Sequence, residues 1–175
     1  MSRNSAHIAL LVLCMTLLCA CRRTAPQRPS RPSDPPKVDS ALLALMDINR
    51  HLADAADTEL VRWVRQQSAE FVQIEDGVWL QKPLPAQGGV TPRQDERWNI
   101  HLQVRRLDGT LLADRQLRCL IGRKALPDAV ETVVALMHDG DSALVAAPWY
   151  TAYGVQGYDA VPPYENVLFR IGLTR

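Results

Sequence analysis

The stretch from Trp98 to Gly122, WNIHLQVRRLDGTLLADRQLRCLIG, limits the possible folds more than any other part of this chain. Trp98, Ile100, Leu102 and Val104 alternate with Asn99, His101, Gln103 and Arg105, a period of two that suits a strand with one buried face. Leu107-Asp108-Gly109-Thr110 then reads as a hairpin turn, and LLADRQLRCLIG as the returning strand. The same alternation brackets Asp76-Gly77 in FVQIEDGVWLQKPL and recurs in DSALVAAP and ENVLFRIGL, where Val167, Phe169, Ile171 and Leu173 share a face. Between them the period changes once. Pro127 and Asp128 suit a first helical turn, Val130, Val133, Val134 and Met137 recur at helical spacing, and Asp139-Gly140 ends the run. Antiparallel strands wrapped on one short helix predict an α+β domain.

Upstream, Asp39-Ser40 can cap a helix carrying Leu42, Leu45, Met46 and Asn49, and DTELVRWVRQQSAEF supplies Leu60, Val61, Val64 and Ser68 near one face. One or two helices are expected between Asp39 and about Phe71, as a spacer packed beside the domain or as a homodimer contact. The start of the chain reads differently. Ile8 to Ala20 is a nearly unbroken apolar run, shorter than the roughly 20 residues a bilayer-spanning helix needs and suited to a signal-peptide core. It closes on Leu18-Cys19-Ala20-Cys21, which resembles a bacterial lipobox and implies cleavage before Cys21 and acylation of that cysteine. Arg22 to Lys37 is rich in proline, arginine and serine, too poor in apolar side chains to offset chain entropy, and reads as a disordered tether. Its basic residues beside a lipid would favour anionic headgroups. The expected divisions are therefore a signal peptide at 1–20, a tether at 21–38, a helical segment at 39–71 and the α+β domain at 72–175. A periplasm-facing, lipid-anchored location in the cell envelope follows from this reading. Once Cys14 and Cys19 leave with the signal and Cys21 is acylated, Cys119 is the remaining thiol, best placed if buried. The formal charge of +1 gives no electrostatic case for nucleic acid.

The end of the chain, APWYTAYGVQGYDAVPPYENVLFRIGLTR, crowds aromatics and turn residues before its last strand. Asp108-Gly109, Gly122, Met137 with Gly140, Pro148, Ala152-Tyr153-Gly154, Gly157, Pro162-Pro163 and Phe169 occur in an order and spacing that resembles an FK506-binding-protein (FKBP) domain. The upstream DTELVRWVRQQSAEFVQIEDGVWLQK is similar to the helix and first strand of lipoprotein members, the gliding-motility-associated group.

That resemblance implies cis/trans isomerisation of X-Pro peptide bonds in proline-containing polypeptide clients, with no cofactor and no metal. Rotation about an amide faces a barrier of about 18–20 kcal/mol. The half-rotated amide has lost resonance and is less polar, so an apolar slot favours it over the hydrated planar form. Such a site needs no nucleophile, and the sequence has no HExxH, GxSxG or GxGxxG, while His51, His101 and His138 are scattered. By resemblance, Tyr153 is the hydroxyl that holds a substrate carbonyl, Phe169 an aromatic wall, and Ala160 and Val161 the rim. Other family positions depart from the pattern. The strand tyrosine falls at Leu102, the aromatic and acid after the hairpin at Leu112 and Ala113, and the floor tryptophan at Val130. Leu117 stands where a further aromatic is common, Leu126 and Pro127 stand at the floor edge, and Asp114 could replace the missing acid through a one-residue shift. A cavity that is apolar but short of aromatic surface leaves two functions to separate, a weak isomerase assisting exported proteins or a non-catalytic peptide-binding domain of an envelope assembly.

Overall fold

The computed structural model describes residues 39–75, 77–82 and 89–175. The signal peptide, Cys21 and its acylation, and the tether expected at 21–38 lie outside them. Asp39–Arg175 forms one unit. It opens on helix α1 (Ser40–Gln66), which the Asp39 side chain caps by accepting from the Ala41 N–H at 3.0 Å. This is one continuous helix across the span where one or two were expected. Six strands follow: β1 (Phe71–Glu75), β2 (Val78–Gln81), β3 (Arg97–Arg106), β4 (Leu111–Leu120), β5 (Ser142–Ala147) and β6 (Val167–Thr174). They pair antiparallel in the order β1-β2-β5-β6-β3-β4. Helix α2 (Asp128–Val134) lies between β4 and β5, and a 3-10 turn (Trp149–Thr151) follows β5.

Alternation along each strand decides what the two faces of the sheet hold. On one face Trp98, Ile100 and Val104 of β3, Val145 of β5, and Val167, Phe169, Ile171 and Leu173 of β6 are buried with Ala129, Val130, Val133 and Val134 of α2. Met137 joins them although the helix stops at Val134. The chain there tightens into i→i+3 bonds, Leu136 N–H to Val133 O and Met137 N–H to Val134 O, which turn Met137 inward without another α-helical turn. Cys119 is only half-buried, packed against this core.

The other face is covered by the carboxyl-terminal half of α1. Leu60, fully buried, meets Ala146 and Leu168, with Trp63, Trp79, Leu107 and Leu144 packed around them. Three polar contacts fix the helix there. Trp63 Nε1 donates to the Leu107 carbonyl at 2.8 Å. Tyr150 donates its hydroxyl to Asp57 at 2.6 Å, directly over Gly77, whose positive φ of 72° and missing Cβ admit the Tyr150 and Pro148 side chains. The buried Asn166 accepts from the Trp149 N–H at 3.1 Å and donates to the Ala56 carbonyl and to Glu59 Oε2. The amino-terminal half of α1 instead leaves Leu42, Leu45, Met46 and Ile48 exposed.

Replacing Asn166 with Ala strands the buried Trp149 N–H and unfastens α1 from the turn after β5. The expected cost is about 1–3 kcal/mol, read as a lower urea midpoint at unchanged m-value.

Candidate active-site groove

The groove of interest opens beside the middle of β3 and β4. It encloses roughly 430 Å³ between the sheet, the segment leading into α2 and the loop after the 3-10 turn. Leu102 of β3 and Leu117 of β4 form an aliphatic wall, Leu126 and Pro127 an edge, and Ala152, Tyr153, Gly157 and Tyr158 the loop side. Pro127 is also the residue at the start of α2, where it brings no N–H of its own into the edge.

Tyr153 is half-buried, with its ring 5.9 Å from that of Phe169 and stacked 5.7 Å from that of Tyr158 at an interplanar angle of 8°. The Arg115 guanidinium lies over the outer ring, 5.1 Å from its centroid. A column of aromatic rings therefore runs from the fully buried Phe169 to the surface and ends on a cation. Burial raises the affinity of the Tyr153 hydroxyl for its proton, which the positive charge of Arg115 opposes only in part. No hydrogen bond engages that hydroxyl among the described residues, so it remains a neutral donor at the groove.

Backbone conformation holds the loop closed. Tyr158 and Val161 exchange N–H to O bonds of 3.0 and 2.9 Å. Gly157 has a φ of +67°, and a Cβ there would run into the Val161 carbonyl oxygen and come within 2.8 Å of Pro162 and Pro163. The glycines and prolines that stood out in the sequence shape this turn, which carries Tyr158.

Of the residues named from sequence, Tyr153, Leu102, Leu117 and Leu126 meet at the groove. Phe169 and Val130 are completely buried in the core on which Tyr153 and Leu117 pack, so they act on the groove from behind. Leu112 is half-buried against the same core, as the extra residue where the register slips between Val104↔Ala113 and Arg105↔Leu111. Val161 is buried in the closed turn and Ala160 is exposed at its tip. The slip leaves Asp114 opposite Gln103 on the outer face. Its carboxylate accepts from Gln103 and bonds His101 at 2.6 Å, and these contacts, His101 first, hold its pKa below the usual carboxylate value. Asp114 is therefore turned away from the position a missing pocket acid would occupy. The inward residue at this level is Arg115, opposite Leu102. Arg115, Lys124 and Tyr158 line the groove and were not among the residues named from sequence. Arg115 could have been found by continuing the inward phase of β4 through Ala113, Arg115, Leu117 and Cys119.

Residues 88–174 match the family model described as FKBP-type peptidyl-prolyl cis-trans isomerase. Solved structures are similar at low identity and share the fold. A peptidyl-prolyl cis-trans isomerase from Pseudomonas syringae pv. tomato matches at 18% identity and a TM-score of 0.58, over 71% of this chain and 93% of its own. FkpA from Escherichia coli matches at 13% and 0.59, over 100% of this chain and 73% of its own. The three FKBP domains of wheat FKBP73 match at 19% and 0.53, over 61% of this chain and 49% of theirs. No curated protein sequence matches.

Gly157→Ala tests the loop geometry. Straining this turn is expected to cost on the order of 1–3 kcal/mol and to weaken binding of a proline peptide, followed by urea titration and by NMR titration. Gly109→Ala, whose added Cβ meets nothing within 4 Å, should lose less stability.

Proposed function

We propose, on the premise that residues 88–174 are an FKBP-type peptidyl-prolyl cis-trans isomerase domain, that the Tyr153 groove is where this chain rotates X-Pro amides. The observation that carries this reading is the Tyr153 hydroxyl, a neutral donor with no hydrogen-bond partner among the described residues, placed beside a groove of roughly 430 Å³ walled by Leu102, Leu117 and Leu126. The hydroxyl donates to a substrate carbonyl and fixes the peptide, while Leu102, Leu117 and Leu126 enclose the proline ring and exclude water. A twisted amide is less polar than a planar one, so this surface lowers the barrier by favouring the intermediate geometry. Aliphatic side chains supply less ring-on-ring packing than aromatic ones, by about 0.5–1.5 kcal/mol for each lost aromatic contact. The column of Tyr153 and Tyr158 supplies aromatic surface from the loop side, and the reading is of a slow isomerase.

Its proposed setting is the cell envelope. The apolar run ending in Leu18-Cys19-Ala20-Cys21, followed by the Pro/Arg-rich segment to Lys37, supports acylation at Cys21, a periplasm-facing domain on a tether, exported proteins as clients, and kinship with the gliding-motility-associated lipoproteins. The exposed half of α1 supports a homodimer. Leu42, Leu45, Asn49 and Leu52 repeat at alternating spacings of three and four, and Asn49 Oδ1 is buried without a hydrogen-bond partner among the described residues. One polar residue in such a stripe can set the register of paired helices.

Tyr153→Phe should lower kcat/KM for a proline peptide about tenfold, the effect of one hydrogen bond of roughly 1.4 kcal/mol, measured by NMR exchange. Because burial raises the hydroxyl pKa, opposed only in part by Arg115, the alkaline loss of wild-type activity should set in at higher pH than titration of an exposed tyrosine would give. Exchange at the uncatalysed rate in both proteins would leave the peptide-binding function. Light scattering on the acyl-free chain should give twice the monomer mass, reverting to one for Leu45→Glu with Leu52→Glu; monomer at every concentration would remove the dimer.

A further inference from the structure

The residues lining the groove include two cations, Arg115 and Lys124, and no carboxylate. Each cation has an acidic neighbour, but neither neighbour lines the groove. Asp159 pairs with Arg115 from the turn outside and is 62% exposed, and Asp128 pairs with Lys124 at 2.6 Å and is 60% exposed. Lys124 itself is 78% exposed, so solvent screens most of its field. Arg115 is 34% exposed and holds an inward position in the row Arg115, Leu102, Ile171, Ala143 that crosses four strands. An aliphatic residue there would extend the wall at no electrostatic cost.

The guanidinium has donors to spare. Arginine carries five N–H groups in a rigid fork suited to carboxylates. Among the described residues, Nη2 donates to Asp159 and Nη1 makes a long 3.4 Å contact with the Tyr158 hydroxyl. Asp159 and the Tyr158 ring thus hold the fork in place at the mouth of the groove.

We propose that Arg115 makes this site selective for X-Pro segments carrying an acidic side chain next to the proline, whose carboxylate the guanidinium binds while Tyr153 holds the backbone. The proposal rests on the isomerase groove described above and names the class of peptide it takes. A residue at the edge of an apolar cavity acts in a lower dielectric than one on open surface, so a charge-assisted hydrogen bond there discriminates between Glu and its neutral isostere Gln. Clients with a lysine beside the proline are disfavoured by the same charge.

The test uses the full chain without acylation and peptides of one length that differ only beside the proline, with Glu, Gln or Lys on either flank. Dissociation constants come from NMR titration, and cis/trans exchange is read on the same samples. The Glu peptide is expected to bind about 2–5-fold more tightly than the Gln peptide on at least one flank, a ratio typical of a partly exposed charge pair, and this ratio should shrink as salt is added. Arg115→Gln should bring the ratio to about one, and Arg115→Lys, which keeps the charge but loses the fork, should fall between. Equal binding of Glu and Gln peptides on both flanks of the proline by the wild type overturns the proposal. So does an equal fractional loss for every peptide in Arg115→Gln, because that pattern belongs to a residue that only braces the Tyr158 turn. Selective binding with exchange at the background rate would remove the isomerase function and leave the acidic preference in place. Accelerated exchange without selectivity would do the reverse.

Discussion

The buried position of β6 between β5 and β3 is the constraint on which the rest of the molecule depends. The strand is hydrogen-bonded along both edges, and every residue of its inner face, Val167, Phe169, Ile171 and Leu173, is wholly out of solvent. Such a strand cannot slip by one residue without exchanging its apolar face for Leu168 and Arg170, so its register is strongly specified. Phe169 sits at the level of Val104 on one neighbour and Val145 on the other. Tyr153 packs against it, and Tyr158 against Tyr153. The loop side of the groove is thus anchored on a strand paired along both edges with its inner face fully buried, while its outer rim rests on a short turn.

The two faces of the sheet divide the work. Helix α2 buries its valines on the inner face but is only two turns long, which leaves the space beside β3 and β4 open as a groove. On the outer face the second half of α1 seats Leu60 and Trp63 on Ala146 and Leu168. That contact, with Asn166 bridging helix and turn, ties the start of the unit to the segment just before β6. Support for the Tyr153 loop therefore comes from both sides of the sheet, although the groove opens on only one.

The groove proposed to rotate X-Pro amides has walls of mixed chemistry. Isomerisation of an imide requires a dry cavity and one well-placed donor, and neither requirement fixes which side chains supply the walls. Here the strand side is aliphatic and the loop side aromatic, and the ring column ends under a guanidinium. Arg115 places a charge in a cross-strand row otherwise made of Leu102, Ile171 and Ala143, and the cost of partly burying it is offset by the Asp159 pair and the Tyr158 face. Of the two cations that line the groove, Arg115 is the less exposed to solvent.

The sequence alone determined the strands, their hairpins and the short helix, because alternation at a period of two and turn residues at Asp76-Gly77 and Asp108-Gly109 are local signals. It also determined the loop of Tyr153, since Gly157 and Pro162-Pro163 restrict the backbone wherever they occur. The extra residue at Leu112 reverses the phase of β4, so its inward set is legible only when read from Leu117 and Cys119 at the far end of the strand; the structure turns Asp114 outward and Arg115 inward. The sequence could not show that one half of α1 is core and the other exposed, as both halves carry helical apolar spacing. Those outcomes depend on contacts between segments distant in the chain, Leu60 with Leu168 and Arg115 with Tyr158, and such contacts exist only once the sheet has closed.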